Sequence, residues 1–164
     1  MIRRLANTDA DIALGLELVR EYVIATADET GHDVELIWPL IREIHDFSGH
    51  YLTSGGAFLV ADEPDGVAGG VGVTPVDATN CEMNRLWVRT PFRRRGLARA
   101  LSEASMDAAR ALGFTRMVLD VVPERTGAIA LYESLGFTPT EPIHEYPFPM
   151  VPLGRRLSGA ENAP

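Results

Sequence analysis

One stretch constrains the fold more than any other: Cys81-Glu82-Met83-Asn84-Arg85-Leu86-Trp87-Val88, then Arg89-Thr90-Pro91-Phe92-Arg93-Arg94-Arg95, then Gly96-Leu97-Ala98. Leu86, Trp87 and Val88 suit a strand, and Pro91 breaks it. Leu97, Leu101, Ala104, Ala108 and Leu112 then recur on one helical face until Gly113 supplies a C-cap. A strand that feeds a basic, glycine-bearing turn into a helix makes an anion cradle. The first-turn N–H groups of the helix have no intrahelical partner, and the positive end of the helix dipole lies behind them. Gly96 lets a ligand approach the backbone closely, Ala98 keeps the next contact small, and Arg93, Arg94 and Arg95 add charge. Taken alone, such a turn is equally compatible with a solvated basic loop.

Charge is segregated along the chain. The net charge is −8, and all fifteen basic residues are arginine. Six of these, Arg85, Arg89, Arg93, Arg94, Arg95 and Arg99, fall within fifteen positions. An acidic body with one basic patch disfavours an extended nucleic-acid interface and favours a compact polyanionic ligand. With no lysine in the chain, a lysine nucleophile or Schiff base is excluded. The 164 residues amount to one domain, expected over 1–157, with the small polar segment 158–164 as a frayed tail. No apolar run reaches the roughly 20 residues needed to cross a bilayer, and the N-terminus lacks a signal-peptide core, so a cytoplasmic protein is expected. The single cysteine, Cys81, reads as a small core residue rather than a nucleophile.

Elsewhere the patterning is that of an α+β protein. Ile2 to Leu5 suits an edge strand, and Asn7-Thr8-Asp9 an N-cap region. A helix then places Ile12, Leu16, Val19 and Val23 on one face and fades between Ala27 and Gly31. A second helical segment is expected from Asp33 to Phe47, with Pro39 forcing the regular part to start near Trp38. Residues 57–61 and 67–74 form a hairpin about Glu63-Pro64-Asp65-Gly66. Gly69, Gly70 and Gly72 lie inside that strand pattern, with no helix following. They mark a bulge or a close backbone approach rather than a dinucleotide loop. Arg116 to Val122 is a further strand ended by Pro123, and Thr126 to Leu135 is a helix with Ala128, Leu131, Tyr132 and Leu135 on one side. A strand begins at Phe137, a proline-broken loop spans 139–149, and a last strand lies near Met150 to Leu157. Strand alternation puts Glu82, Asn84, Leu86 and Val88 on one face.

Arg93-x-x-Gly96-x-Ala98, preceded by Glu82-x-x-Arg85-Leu86-x-Val88, resembles the acyl-CoA-binding segment of the GNAT acetyltransferase superfamily, whose pattern is Gln/Arg-x-x-Gly-x-Gly/Ala. Ala128-Ile129-Ala130-Leu131-Tyr132-Glu133-Ser134-Leu135-Gly136-Phe137 is similar to the second signature of that family, a tyrosine-bearing helix closed by Gly-Phe. The likeness runs from about Ala57 to Phe137. It implies a three-layer α/β/α fold with a mixed, mostly antiparallel sheet flanked by about four helices. It also implies acetyl-CoA as co-substrate and transfer of its acetyl group to a primary amine, on a small or amino-acid-like acceptor, by direct attack on the thioester. Acetylation of a protein or peptide amine is an alternative, as is a non-catalytic acyl-CoA sensor. No nucleic acid or membrane is expected as a partner, and a homodimer is allowed.

The resemblance carries over to specific positions. Leu86, Trp87 and Val88 would run along the pantetheine arm, with a backbone N–H facing the thioester oxygen. Arg93, Arg94, Arg95, Gly96, Leu97, Ala98 and Arg99 would hold the pyrophosphate. Tyr132 would be the general acid, since its ordinary pKa of about 10 keeps it protonated at neutral pH; apart from the signature it reads as a core aromatic. Glu82 is the candidate base, with an ion pair to Arg85 as the alternative reading and Asp120 as a substitute. Arg125 stands where many members have an asparagine that touches the cofactor, and Asn84 where lysine is usual. Glycine is likewise usual at Arg94 or Ala98. Glu141, His144, Glu145 and Tyr146 fall in the loop that borders the acceptor site. The four histidines show no metal-ligand spacing, so no metal is expected.

Overall fold

The computed structural model describes residues 1–157, and the tail expected at 158–164 lies outside them. The chain runs β1 (Ile2–Arg4), α1 (Asp9–Thr30), α2 (Val34–Ile37), three short irregular turns over 38–52, β2 (Ala57–Glu63), β3 (Gly66–Pro75), β4 (Asn80–Val88), α3 (Leu97–Ala111), β5 (Arg116–Val121), α4 (Thr126–Ser134), β6 (Thr138–Pro139) and β7 (Val151–Arg156). The seven strands form one sheet in the order β1-β2-β3-β4-β5-β7-β6. Every neighbouring pair is antiparallel except β4 and β5, which are parallel and joined by the α3 crossover.

The sheet is covered on both sides, which explains the unbroken apolar run of β2. Phe58 and Val60 face a core built with Leu18, Val19 and Val23 of α1, whereas Leu59 and Ala61 face a core built with Leu101 and Met106 of α3. The α3 side also takes Tyr132, Leu135 and Phe137. Helix α1 starts at the Thr8 cap, whose hydroxyl accepts from the Asp11 N–H, and ends at Gly31 with φ 69°. The two apolar stripes read from the sequence are therefore the two outer layers.

The expected second helix is not regular. Its α-helical part is the short α2, and beyond Ile37 the chain turns through three-residue 3-10 turns at Trp38–Leu40 and Arg42–Ile44, then a wider turn at Ser48–Leu52. Pro39 lacks the N–H that a continued helix needs, so the helix breaks where the sequence expectation had it begin. Apolar side chains still point inward from this segment. Tyr51 is fully buried, with ring centroids 5.0 Å from both Phe47 and Phe58.

The strand glycines mark both features the sequence suggested. A Cβ on Gly69 would lie 2.1 Å from the carbonyl oxygen of Trp87, so β3 and β4 approach there as only glycine allows. Gly70 pairs with Trp87 and Gly72 with Asn84, so β4 carries one extra residue between the two pairs. That residue lies at a bulge where Arg85 has φ 54°.

Candidate active site

The site is a gap opened in the sheet. Pairing of β4 with β5 covers only Asn80, Cys81 and Glu82 against Arg116, Met117 and Val118. Beyond it β5 continues with β7, while Met83 to Val88 and Leu119 to Val122 become opposite walls of a cleft of about 680 Å3. Parallel strands that part in this way leave β4 backbone groups without a strand partner on the cleft side.

The bulge at Arg85 reverses the facing of β4. Cys81 and Met83 point to the α3 side, and past the bulge Leu86 and Val88 join them there. Asn84 contacts the Tyr51 hydroxyl at 2.8 Å on the α1 side, where the Trp87 indole N–H donates to Glu21 at 2.9 Å. Glu82 and Asn84 therefore do not share a face with Leu86 and Val88. Strand alternation breaks here because one residue is inserted in β4, and an arginine rather than a glycine carries the left-handed conformation.

At one end of the cleft stands the basic turn. Gly96 has φ 76°, which a glycine adopts without cost, and α3 begins with no side-chain cap, so its first-turn N–H groups are open to an anion. A Cβ on Gly96 would touch nothing within 4 Å. Arg93 donates from Nε to the Val88 carbonyl at 2.9 Å and stacks on Trp87. Arg95 donates to the Pro91 carbonyl, and Arg94 has φ 63°. None of these three arginines has a carboxylate partner among the described residues. Arg99 instead bonds Ser134 at 2.7 Å and lies 3.8 Å from Glu103. Leu86, Trp87, Val88, Arg93 and Ala98 line the cleft.

Arg125 also borders the cleft, but it is engaged with α1: Nε donates to Glu29 at 2.6 Å, Nη2 to the Thr26 hydroxyl at 2.7 Å, and the guanidinium lies over Tyr22. It clamps the start of α4 to α1. Tyr132, on α4, borders the cleft with its ring packed against Phe137, and burial raises its pKa above the ordinary phenol value.

The other end is acidic and comes from three separate elements. Glu82 of β4 contacts His144 Nε2 at 2.8 Å, and that hydrogen bond raises the pKa of the imidazole. Asp120 of β5 has a buried Oδ2 with no hydrogen-bond partner among the described residues; burial, then the charge of Glu82, pushes its pKa up to about 6, against the lowering effects of the His144 charge and of a hydrogen bond with Tyr146. One ligand atom from each of Glu82, Asp120 and His144 lies within 4.8 Å of the others, a spacing able to take a metal ion. The resemblance singled out Glu82, Asp120 and the loop of His144 separately; their joining into one cluster was not legible, because its members are far apart in the chain. Only their positions on cleft-bordering strands and the acceptor-side loop could have suggested it. Cys81 is buried with its thiol pushed up to about 12 by burial, in keeping with a core role.

Behind this end, Arg85 donates from Nε to Glu43 Oε1 at 2.6 Å and lies over the Tyr22 ring. Glu43 is 1% exposed; burial pushes its carboxyl up, and the Arg85 charge and hydrogen bond more than offset this, holding it below the ordinary value. The ion pair considered for Glu82 thus belongs to Glu43.

The fold is shared with known proteins. The Acetyltransferase (GNAT) family model matches residues 20–137, and the chain belongs to that family. It is 35% identical over 107 residues to N-acetyltransferase 8 of Homo sapiens, covering 62% of this chain and 47% of the relative. Among solved structures, an acetyltransferase from Streptococcus agalactiae 2603 superposes with a TM-score of 0.75 at 21% identity, over 95% of this chain and 97% of that one. A phosphinothricin acetyltransferase from Sinorhizobium meliloti in complex with AcCoA superposes with a TM-score of 0.70 at 22% identity, over 100% and 92%. The chain spans about half the length of the curated relatives it matches, 47% and 54% for the first two. No helix among the described residues is long and apolar enough to cross a membrane.

Proposed function

We propose that this protein is an acetyl-CoA-dependent N-acetyltransferase whose acceptor is the primary amine of a small or amino-acid-like molecule. The observation that carries the reading is the cleft itself, with an uncapped helix start and arginines that have no carboxylate partner among the described residues at one end, and a cluster of two carboxylates and a histidine at the other. The first end suits the pyrophosphate of CoA, held by the backbone from Gly96 to Arg99 and by Arg93, Arg94 and Arg95. The second suits an ammonium group that must lose a proton before it attacks.

Acetyl-CoA supplies the activated acyl group. Glu82 accepts the proton of the incoming amine, directly or through water, with His144 bonded to it. A C–N bond forms as the C–S bond breaks. A backbone N–H of Leu86, Trp87 or Val88 steadies the oxyanion, and Tyr132 gives its proton to the departing thiolate. The raised pKa of Tyr132 keeps that proton in place until the thiolate appears.

Titration calorimetry with acetyl-CoA, CoA and ATP, repeated on Gly96→Glu, tests the cofactor end. Acetyl-CoA binding that is lost in the variant supports the reading. Absence of binding by either acetyl-CoA or CoA removes it, and with it the enzyme assignment. Free-thiol release over an amine panel then separates transfer from mere binding, and a sensor would bind without transferring.

A further inference from the structure

Arg85 is the residue that the proposed chemistry leaves without a task. It sits three positions after Glu82 on β4, a spacing that would aim the two side chains at opposite faces of a regular strand. The bulge, with φ 54° at Arg85 itself, turns it to the α1 side, where it meets Glu43 and Tyr22. A bulge that re-aims a side chain beside a cleft is a device for placing a functional group. Here it brings a guanidinium onto the face that carries Glu82.

How the guanidinium is held matters equally. Glu43 takes only the Nε–H, and the two Nη groups have no protein acceptor among the described residues. Arg85 borders the cleft, with its side chain 18% exposed. Fixing an arginine through Nε while leaving both terminal amino groups presented suits forked recognition of a planar anion. In the same cleft, the buried Oδ2 of Asp120 has no hydrogen-bond donor among the described residues, a need that an ammonium group would meet. Arg85 acts electrostatically on both His144 and Tyr146, so cation and acids belong to one end of the cleft. The surrounding wall is apolar, with Ile37, Leu40, Ile41 and Phe148.

We infer that the acceptor is a free α-amino acid with a large apolar side chain: the Arg85 Nη groups take its carboxylate, Glu82 and Asp120 take its ammonium, and the wall of Ile37, Ile41 and Phe148 takes its side chain. This rests on the proposed N-acetyltransferase reading and narrows it. A peptide N-terminus has no α-carboxylate and a simple alkylamine has none either, so both are excluded as preferred acceptors.

The test compares matched acceptors by free-thiol release with acetyl-CoA: L-leucine with isoamylamine and L-leucinamide, and L-phenylalanine with phenethylamine and L-phenylalaninamide. The amino acids are expected to exceed their partners in kcat/KM by roughly 10²-fold, the usual worth of hydrogen bonds to a charged group. Because Arg85 also neutralises buried Glu43, the variant is the pair Arg85→Gln with Glu43→Gln, which removes both charges together. In it the preference should collapse toward unity while the amines are still acetylated. A purely structural role would depress both members of each pair alike and leave the preference intact, which overturns the inference. Wild-type protein that acetylates the amines as well as the amino acids also overturns it, and leaves the N-acetyltransferase reading standing. Acetyl-CoA binding with no transfer to any of the six compounds overturns both.

Discussion

Glu82 of β4 and His144 of the loop before β7 meet at 2.8 Å although 62 residues separate them in the chain. The contact pins a loop that is also held by His32 stacked on Phe148 at 4.7 Å and by Arg116 donating to the Thr140 hydroxyl at 2.6 Å. It also favours the charged imidazole, since the hydrogen bond to the carboxylate holds the His144 pKa above its ordinary 6.5. Glu82→Gln should therefore let the His144 pKa fall back toward that value, followed by NMR titration of the imidazole protons. In the same variant the acid limb of the pH–rate profile should move. An unmoved profile would take Glu82 out of the proton path.

Tyr132→Phe should lower kcat by about 10²- to 10⁴-fold, the usual worth of a positioned general acid. The ring packing against Phe137 is retained, so acetyl-CoA affinity measured by calorimetry should stay near that of the parent protein. Unaltered turnover would return Tyr132 to the status of a core aromatic.

Asp120 should make the protein less stable as pH rises. Its folded pKa of about 6 lies above its ordinary 3.8, so between these values the unfolded chain binds fewer protons and stability falls with rising pH. The loss persists at higher pH, and Asp120→Asn removes it. A shift of this size corresponds to about 3 kcal/mol in a dry interior. Solvent around this half-buried group reduces that to about 1 kcal/mol. The variant should melt about 2–4 °C higher at pH 8, with the gain vanishing toward pH 4. Thermal melts at the two pH values decide it, and an equal gain at both would assign the effect to something other than ionisation.

Gly69→Ala should destabilise the fold by at least about 1–3 kcal/mol, read as a lower urea midpoint. The new Cβ would lie 2.1 Å from the Trp87 carbonyl oxygen and 3.0 Å from Val88 Cα, both backbone atoms of the paired strand. A midpoint within error of the parent would mean that β3 and β4 part easily.

What could be read in the sequence was what is local. Leu86-Trp87-Val88, Pro91 and the stripe from Leu97 mark the end of β4 and the start of α3 within a residue or two, because propensity, a helix breaker and periodicity agree there. Tyr132 and Phe137 are similarly placed by one short helix and its end. What escaped was whatever depends on insertion or on distance. The bulge at Arg85 bears no glycine, so the strand read as regular and Leu86 was put on the wrong face. A helix start near Trp38 is what Pro39 suggests, but the residues after it turn too tightly to continue one. His144, Glu82 and Asp120 share no spacing, and only the parting of β4 from β5 brings them together.

The irregular run from α2 to the wide turn at Ser48–Leu52 supplies the apolar wall at the acidic end of the cleft, yet it contributes no strand to the sheet. The end proposed to hold the pyrophosphate, by contrast, is one continuous piece of chain whose geometry is set by β4 and α3. The two halves of the site are thus free to diversify at different speeds. A lineage could rewrite residues 34–52 to accept a new amine without touching the grip on the acyl donor, and a designer could exchange that segment as a cassette.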